Sequence, residues 1–124
     1  MFKGRIYNRE CEMQGGPYTL LVFKEEFDLD LPSYLIDLYN KQIPDMEGFL
    51  KVAWAMCKTC NDDIPYYEHW LEDFDNDTFD IREGSGTVAV IDSAINAELF
   101  CERQTLKERI IFRIVGWLLS RRRK

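Results

Sequence analysis

Between Pro44 and Pro65 the apolar residues recur with the period of a helix, and this stretch constrains the fold more than any other. Phe49, Val52, Ala53, Met56 and Cys60 stand at i, i+3, i+4, i+7 and i+11. That spacing predicts one buried face of a helix about 12–14 residues long. Trp54 lies off the stripe and Ala55 is small, so a second face of the same helix is available for packing. The segment ends in Cys57-x-x-Cys60, a spacing that suits a redox pair, half of a zinc site, or two small apolar side chains near a helix end.

Around this helix the chain reads as α+β, mainly α, with an N-terminal β-hairpin or small antiparallel sheet followed by about five helices. Residues 2–7 and 18–24 are rich in β-branched and aromatic side chains and are expected to be strands, with residues 9–13 as a further strand and Gly15-Gly16-Pro17 as a turn. Ser33 is the expected cap of a helix carrying Tyr34, Leu35, Leu38 and Tyr39 on one stripe. After the break at residues 60–65, Asp62 or Asp63 is expected to cap a short helix with Pro65 in its first turn. On that helix Tyr67, Trp70, Leu71 and Phe74 form the apolar stripe, while Glu68, Glu72 and Asp73 face water. Residues 75–87 read as a polar loop. Val88, Ile91, Ala94, Ile95 and Leu99 repeat at helical spacing. The expected organisation is a single domain over 1–124: a hairpin or meander in 1–30, a helical body in 33–104, and a basic-ended C-terminal helix in 105–124.

Charge is unevenly spread. The net charge of −6 combines about +7 in residues 103–124, which carry eight Lys/Arg and one acid, with about −13 in the rest. An acidic body repels phosphates, so nucleic acid is not an expected partner. The start of the chain is charged and lacks the apolar h-region of a signal peptide, and no apolar run approaches the ~20 residues needed to span a bilayer. The expectation is a cytoplasmic protein, not membrane-bound, whose four cysteines stay reduced and form no structural disulfide.

The chemistry-bearing residues point away from catalysis. A thioredoxin-type pair needs its first cysteine at a helix N-terminus, whereas Cys57 and Cys60 close a helix at its C-terminal end. A zinc site needs a second ligand pair, and Cys11, Cys101 and the single His69 supply none. Asp73, Asp75 and Asp77 match positions 1, 3 and 5 of a calcium loop, but Thr78, Asp80 and Gly84 break the pattern at positions 6, 8 and 12. No phosphate loop, nucleophile elbow or acid–base pair is present. The expectation is no catalytic residue, no metal and no cofactor. The C-terminal stretch, apolar nearly all round and followed by Arg121-Arg122-Arg123-Lys124, suits core, a membrane surface, another protein or a sister subunit in a homo-oligomer.

Residues 49–74, with Trp54-Ala55-Met56, Lys58, Ile64-Pro65 and Glu68-His69-Trp70-Leu71, resemble the signature region of tail assembly chaperones from long-tailed bacteriophages and prophages of Gram-positive hosts. Residues 18–31 look like the N-terminal part of the same family, and the resemblance extends over roughly residues 18–102. Cys57, Cys60 and His69 depart from its pattern. The resemblance implies a non-enzymatic role in the host cytoplasm: binding the tape measure protein, keeping it soluble, and helping to recruit the major tail protein. It also implies that this chain is the shorter of two forms, the longer arising by a translational frameshift. It suggests a partner surface made of Trp54, Trp70, Phe74, Phe112, Val115, Trp117 and Leu119, residues that equally suit a core. The alternative is a small acidic phage-encoded interaction or regulatory protein acting on a host target.

Overall fold

A computed structural model describes residues 1–100. Its architecture is α+β and mainly α: a two-stranded antiparallel hairpin followed by five helices. The hairpin pairs β1 (Phe2–Ile6) with β2 (Arg9–Met13), setting Gly4 opposite Cys11 and Ile6 opposite Arg9. Alternation sorts the two faces, as the pleat requires. Ile6, Cys11 and Met13 are buried, whereas Lys3 and Arg5 stand outside opposite Glu12 and Glu10. At the turn Tyr7 takes a left-handed backbone (φ 53°), uncommon for a residue with a side chain. Its N–H donates to Thr87 Oγ1 at 3.2 Å, and its ring packs on Phe79 at 4.9 Å.

Among the described residues there is no third strand. Residues 18–24 belong to helix α1 (Pro17–Phe27), which corrects the strand expected there; the expected N-terminal hairpin is present but ends at Met13. The buried residues Thr19, Val22 and Phe23 fall at i, i+3 and i+4, a helical period, and Pro17 sits in the first turn where its missing N–H costs nothing. Only Thr19 and Val22 in this stretch are β-branched. The helix stops at Asp28, in the left-handed conformation (φ 55°), whose N–H donates to the Lys24 carbonyl oxygen.

Helix α2 (Leu31–Asn40) is capped by Asp30, not Ser33: the Asp30 carboxylate accepts from the Ser33 N–H at 3.2 Å and the Ser33 hydroxyl at 2.8 Å. Helix α3 (Met46–Cys60) is capped by Asp45, which accepts from the Gly48 N–H. Both expected faces of α3 are used. Phe49, Val52, Ala53 and Met56 are buried, and so are Trp54, Ala55 and Cys57, while Cys60 is half-buried. The helix therefore runs through the middle of the fold, with α1, β2 and α5 all packed against it.

Helix α4 (Tyr67–Glu72) starts later than expected, so Pro65 precedes it and neither Asp62 nor Asp63 caps it. Instead the Glu26 carboxylate of α1 accepts from the Tyr67 N–H at 3.3 Å. Lys58 donates to the carbonyl oxygens of Asp62 and Ile64 and ties the intervening turn to α3. A single 3-10 turn, Ile81–Glu83, opens on Asp80, whose side chain accepts from the Arg82 N–H. It leads into α5 (Gly84–Glu98), so the second half of the expected polar loop is helical. Ile91, Ala94 and Ile95 bury the inner face of α5. Gly4 lets α5 lie against β1, because a Cβ there would meet Val90 Cγ1 at 2.6 Å. None of the helices among the described residues is long and apolar enough to cross a membrane.

Candidate binding surface

The residues singled out from the sequence separate by burial. Trp54 is 2% and Trp70 1% exposed, so both are core in this fold, a correction to their placement on a partner surface. Trp54 donates its indole N–H to the Pro65 carbonyl oxygen at 2.8 Å and meets Phe27 edge-on at 5.6 Å. Trp70 stacks with Tyr67 and takes Phe74 edge-on at 5.0 Å. Phe74 is half-buried beneath the Arg9 guanidinium, which lies 5.3 Å from its ring centre. The family-like string around Trp54 and Trp70 is thus a set of packing residues, ordered by the helix-turn-helix that α3 and α4 form. Phe112, Val115, Trp117 and Leu119, and the expected helix over 105–124, lie outside the described residues.

Exposed apolar side chains are scattered over the described residues, among them Ile43 and Ile81, and three of them fall close together in sequence on α1. Tyr18 (49%), Leu20 (45%) and Leu21 (50%) point away from the core that Thr19, Val22 and Phe23 enter. Beside them lies a groove of about 350 Å³ lined by Pro17, Leu20, Leu31, Leu35, Leu99 and Phe100. Leu31 and Leu35 form its floor from α2, both nearly buried. Tyr18 also borders a smaller depression that carries Glu25, Glu26, Lys58 and Tyr66. A strand over 18–24, as the β-branched and aromatic content predicts, gives no reason to expect an exposed strip here. The signal was there: five consecutive apolar or β-branched residues, Thr19 to Phe23, cannot all fit the inner face of one helix.

The acidic loop is occupied with its own backbone. Asp75 accepts from the Asp77 N–H and the Thr78 hydroxyl, and Asp80 forms a bidentate pair with Arg82 that holds its carboxyl below the usual carboxylate range. Among the described residues no group of three or more His, Cys, Asp or Glu side chains is placed to hold a metal ion. His69 stacks on Tyr66 and lies 3.7 Å from Glu72.

The cysteines are arranged differently from what their spacing suggests. Cys57 (3% exposed) faces Cys11 of β2 (6% exposed) across the interior, whereas Cys60 turns toward Met1 Sδ at 3.2 Å. The Cys11 S–H donates to the Arg9 carbonyl oxygen at 3.7 Å; its neighbour Cys57, and then the Arg9 charge, hold the Cys11 thiol below its usual range against the burial that raises it. The neighbouring Cys11 and then burial push Cys57 well above that range.

No family model, no curated protein and no solved structure matches this chain. The functional reading therefore rests on the residues themselves.

Proposed function

We propose that this chain is a non-enzymatic tail assembly chaperone of a long-tailed bacteriophage, acting in the host cytoplasm on the tape measure protein and helping to recruit the major tail protein around it. The observation that carries the reading is the apolar strip of Tyr18, Leu20 and Leu21 beside the Leu31–Leu35–Leu99 groove, on a body that is otherwise strongly acidic. A long tape measure helix presents apolar stripes that aggregate when unpaired. A groove of this kind takes an apolar stripe at i, i+3, i+4 and i+7, while the surrounding negative charge keeps the complex dispersed. The resemblance of residues 49–74 to the family's signature region supports the same reading. Its packing residues build the α3–α4 scaffold against which α1 is held, through Phe27 against Trp54 and Glu26 against Tyr67.

The test is co-expression with the tape measure protein encoded beside it, followed by affinity capture with the wild-type chain and with Leu20→Ser/Leu21→Ser. The wild type is expected to co-purify the tape measure protein and the double variant to lose it. Equal recovery with both would move the partner surface off α1. A target captured from the host in place of the tape measure protein would favour the regulatory alternative.

A further inference from the structure

The apolar groove and the end of the described chain meet at one place. Leu99 and Phe100 line the groove together with Pro17 and Leu20 of α1 and Leu31 and Leu35 of α2, and Phe100 is the last residue described. The rest of the chain therefore sets out from the wall of the groove. Its sequence has the two properties that such a groove selects. Residues 110–119 are apolar at every position except Arg113 and Gly116. Residues 103–124 carry eight Lys/Arg and one acid, about +7. The elements that build the groove carry the opposite sign: residues 25–40 hold five acids, Glu25, Glu26, Asp28, Asp30 and Asp37, and no Lys or Arg. Glu98 is a further acid in the groove's lining. An apolar run and an apolar groove on one chain are two surfaces that water disfavours, and each can cover the other.

We propose that residues 110–119 of this same chain cover the α1–α2 groove when no partner is bound, held there also by attraction between the basic residues that flank the run and the acids of residues 25–37. Reach is no obstacle. The nine residues between Phe100 and Ile110 extend to roughly 30 Å, about twice the ~15 Å length of α2. A tether this short sets an effective concentration in the millimolar range, so an intrinsic affinity of only a few hundred micromolar keeps the groove covered about three-quarters of the time. An incoming apolar helix then binds about fourfold more weakly than it would to an open groove. Fourfold corresponds to ~0.8 kcal/mol, so the cover shields the groove, yields to a partner, and adds little to global stability. The cover does not rest on the chaperone reading; only the identity of the partner that displaces it does.

The experiment places the photo-cross-linking residue benzoyl-phenylalanine at position 112 or 117 of the full-length protein, irradiates it in dilute solution without a partner, and maps the products by peptide mass spectrometry. Two positions are used, so that a substitution that disturbs the circular dichroism spectrum can be set aside in favour of the other. The expected product is a monomer linked to the peptides that carry Pro17 and Leu20 or Leu31 and Leu35, unchanged when vesicles of phosphatidylglycerol are present. Links between two copies, links confined to other faces, or loss of the groove links to vesicles would each overturn the proposal. A second measurement uses Trp117→Ser/Leu118→Ser, in which the tape measure protein is expected to bind about fourfold more tightly than to the wild type. Weaker binding by this variant would overturn the competition, because the segment would then be part of the partner's site. Groove links together with a tape measure protein that binds neither form would leave the cover standing and remove the chaperone reading.

Discussion

Replacing Trp54 by Phe separates core from partner surface more cleanly than any other single change. The indole is 2% exposed, so its removal acts on the fold before it acts on any partner. Two losses add. The indole N–H donates to the Pro65 carbonyl oxygen at 2.8 Å, and Pro65 is only half-buried, so water can partly replace the donor. That puts the hydrogen-bond loss near ~1 kcal/mol, the low end for a group left unpaired. The smaller ring also gives up part of its contact with Phe27 and Tyr67, leaving a gap worth another ~1–2 kcal/mol. The total is ~2–3 kcal/mol, which for a chain of this length lowers the melting temperature by roughly 8–12 °C. Urea denaturation followed by circular dichroism measures it, with the slope unchanged if the loss lies in the native state. A variant within ~0.5 kcal/mol of wild type that nonetheless fails to capture a partner would refute the buried placement of Trp54 and restore it to the surface.

Other consequences are as specific. Leu20→Ser with Leu21→Ser should leave the unfolding free energy within ~1 kcal/mol of wild type, because both side chains are about half exposed, and a larger loss would mean that α1 packs against something here. Gly4→Ala should cost ~1–3 kcal/mol, since the new methyl meets Val90 Cγ1 at 2.6 Å, and adding Val90→Ala should recover part of it; no recovery in a double-mutant cycle would sink the claim that Gly4 is there for the approach of α5. The Asp45 carboxyl is held below the usual range, first by its hydrogen bond from Lys41 and then by the Gly48 N–H. Its contribution is complete above the unfolded carboxylate pKa and is lost as pH falls through the lower folded one, so Asp45→Asn should flatten the acid limb of the stability–pH curve and should cost little through the cap itself.

What could be read from the sequence was whatever repeats along one element. The α3 stripe, its break before α4 and the inward residues of α5 follow from period alone, and each lies where that period put it. Capping was harder, because neighbouring residues compete: Asp30 and Ser33 both suit the start of α2, and the longer reach of the carboxylate bonds two donors at once. In residues 18–24 the aromatic and β-branched content points to a strand, while the i, i+3, i+4 spacing of Thr19, Val22 and Phe23 points to the helix that forms. Only the helix places Leu20 and Leu21 outside. The Cys11–Cys57 approach joins residues from two elements far apart in the chain, and no local pattern announces it. Burial of Trp54 and Trp70 depended on which faces of α3 and α4 meet other elements, which a motif of packing residues leaves open.

If the apolar strip of α1 and its groove bind the tape measure protein, size-exclusion chromatography of the two co-expressed chains will show it. The tape measure protein is expected to be insoluble alone, soluble and co-eluting with this chain, and insoluble again beside the Leu20→Ser/Leu21→Ser variant. A tape measure protein that behaves identically with the wild-type chain, with the variant and with neither would contradict it.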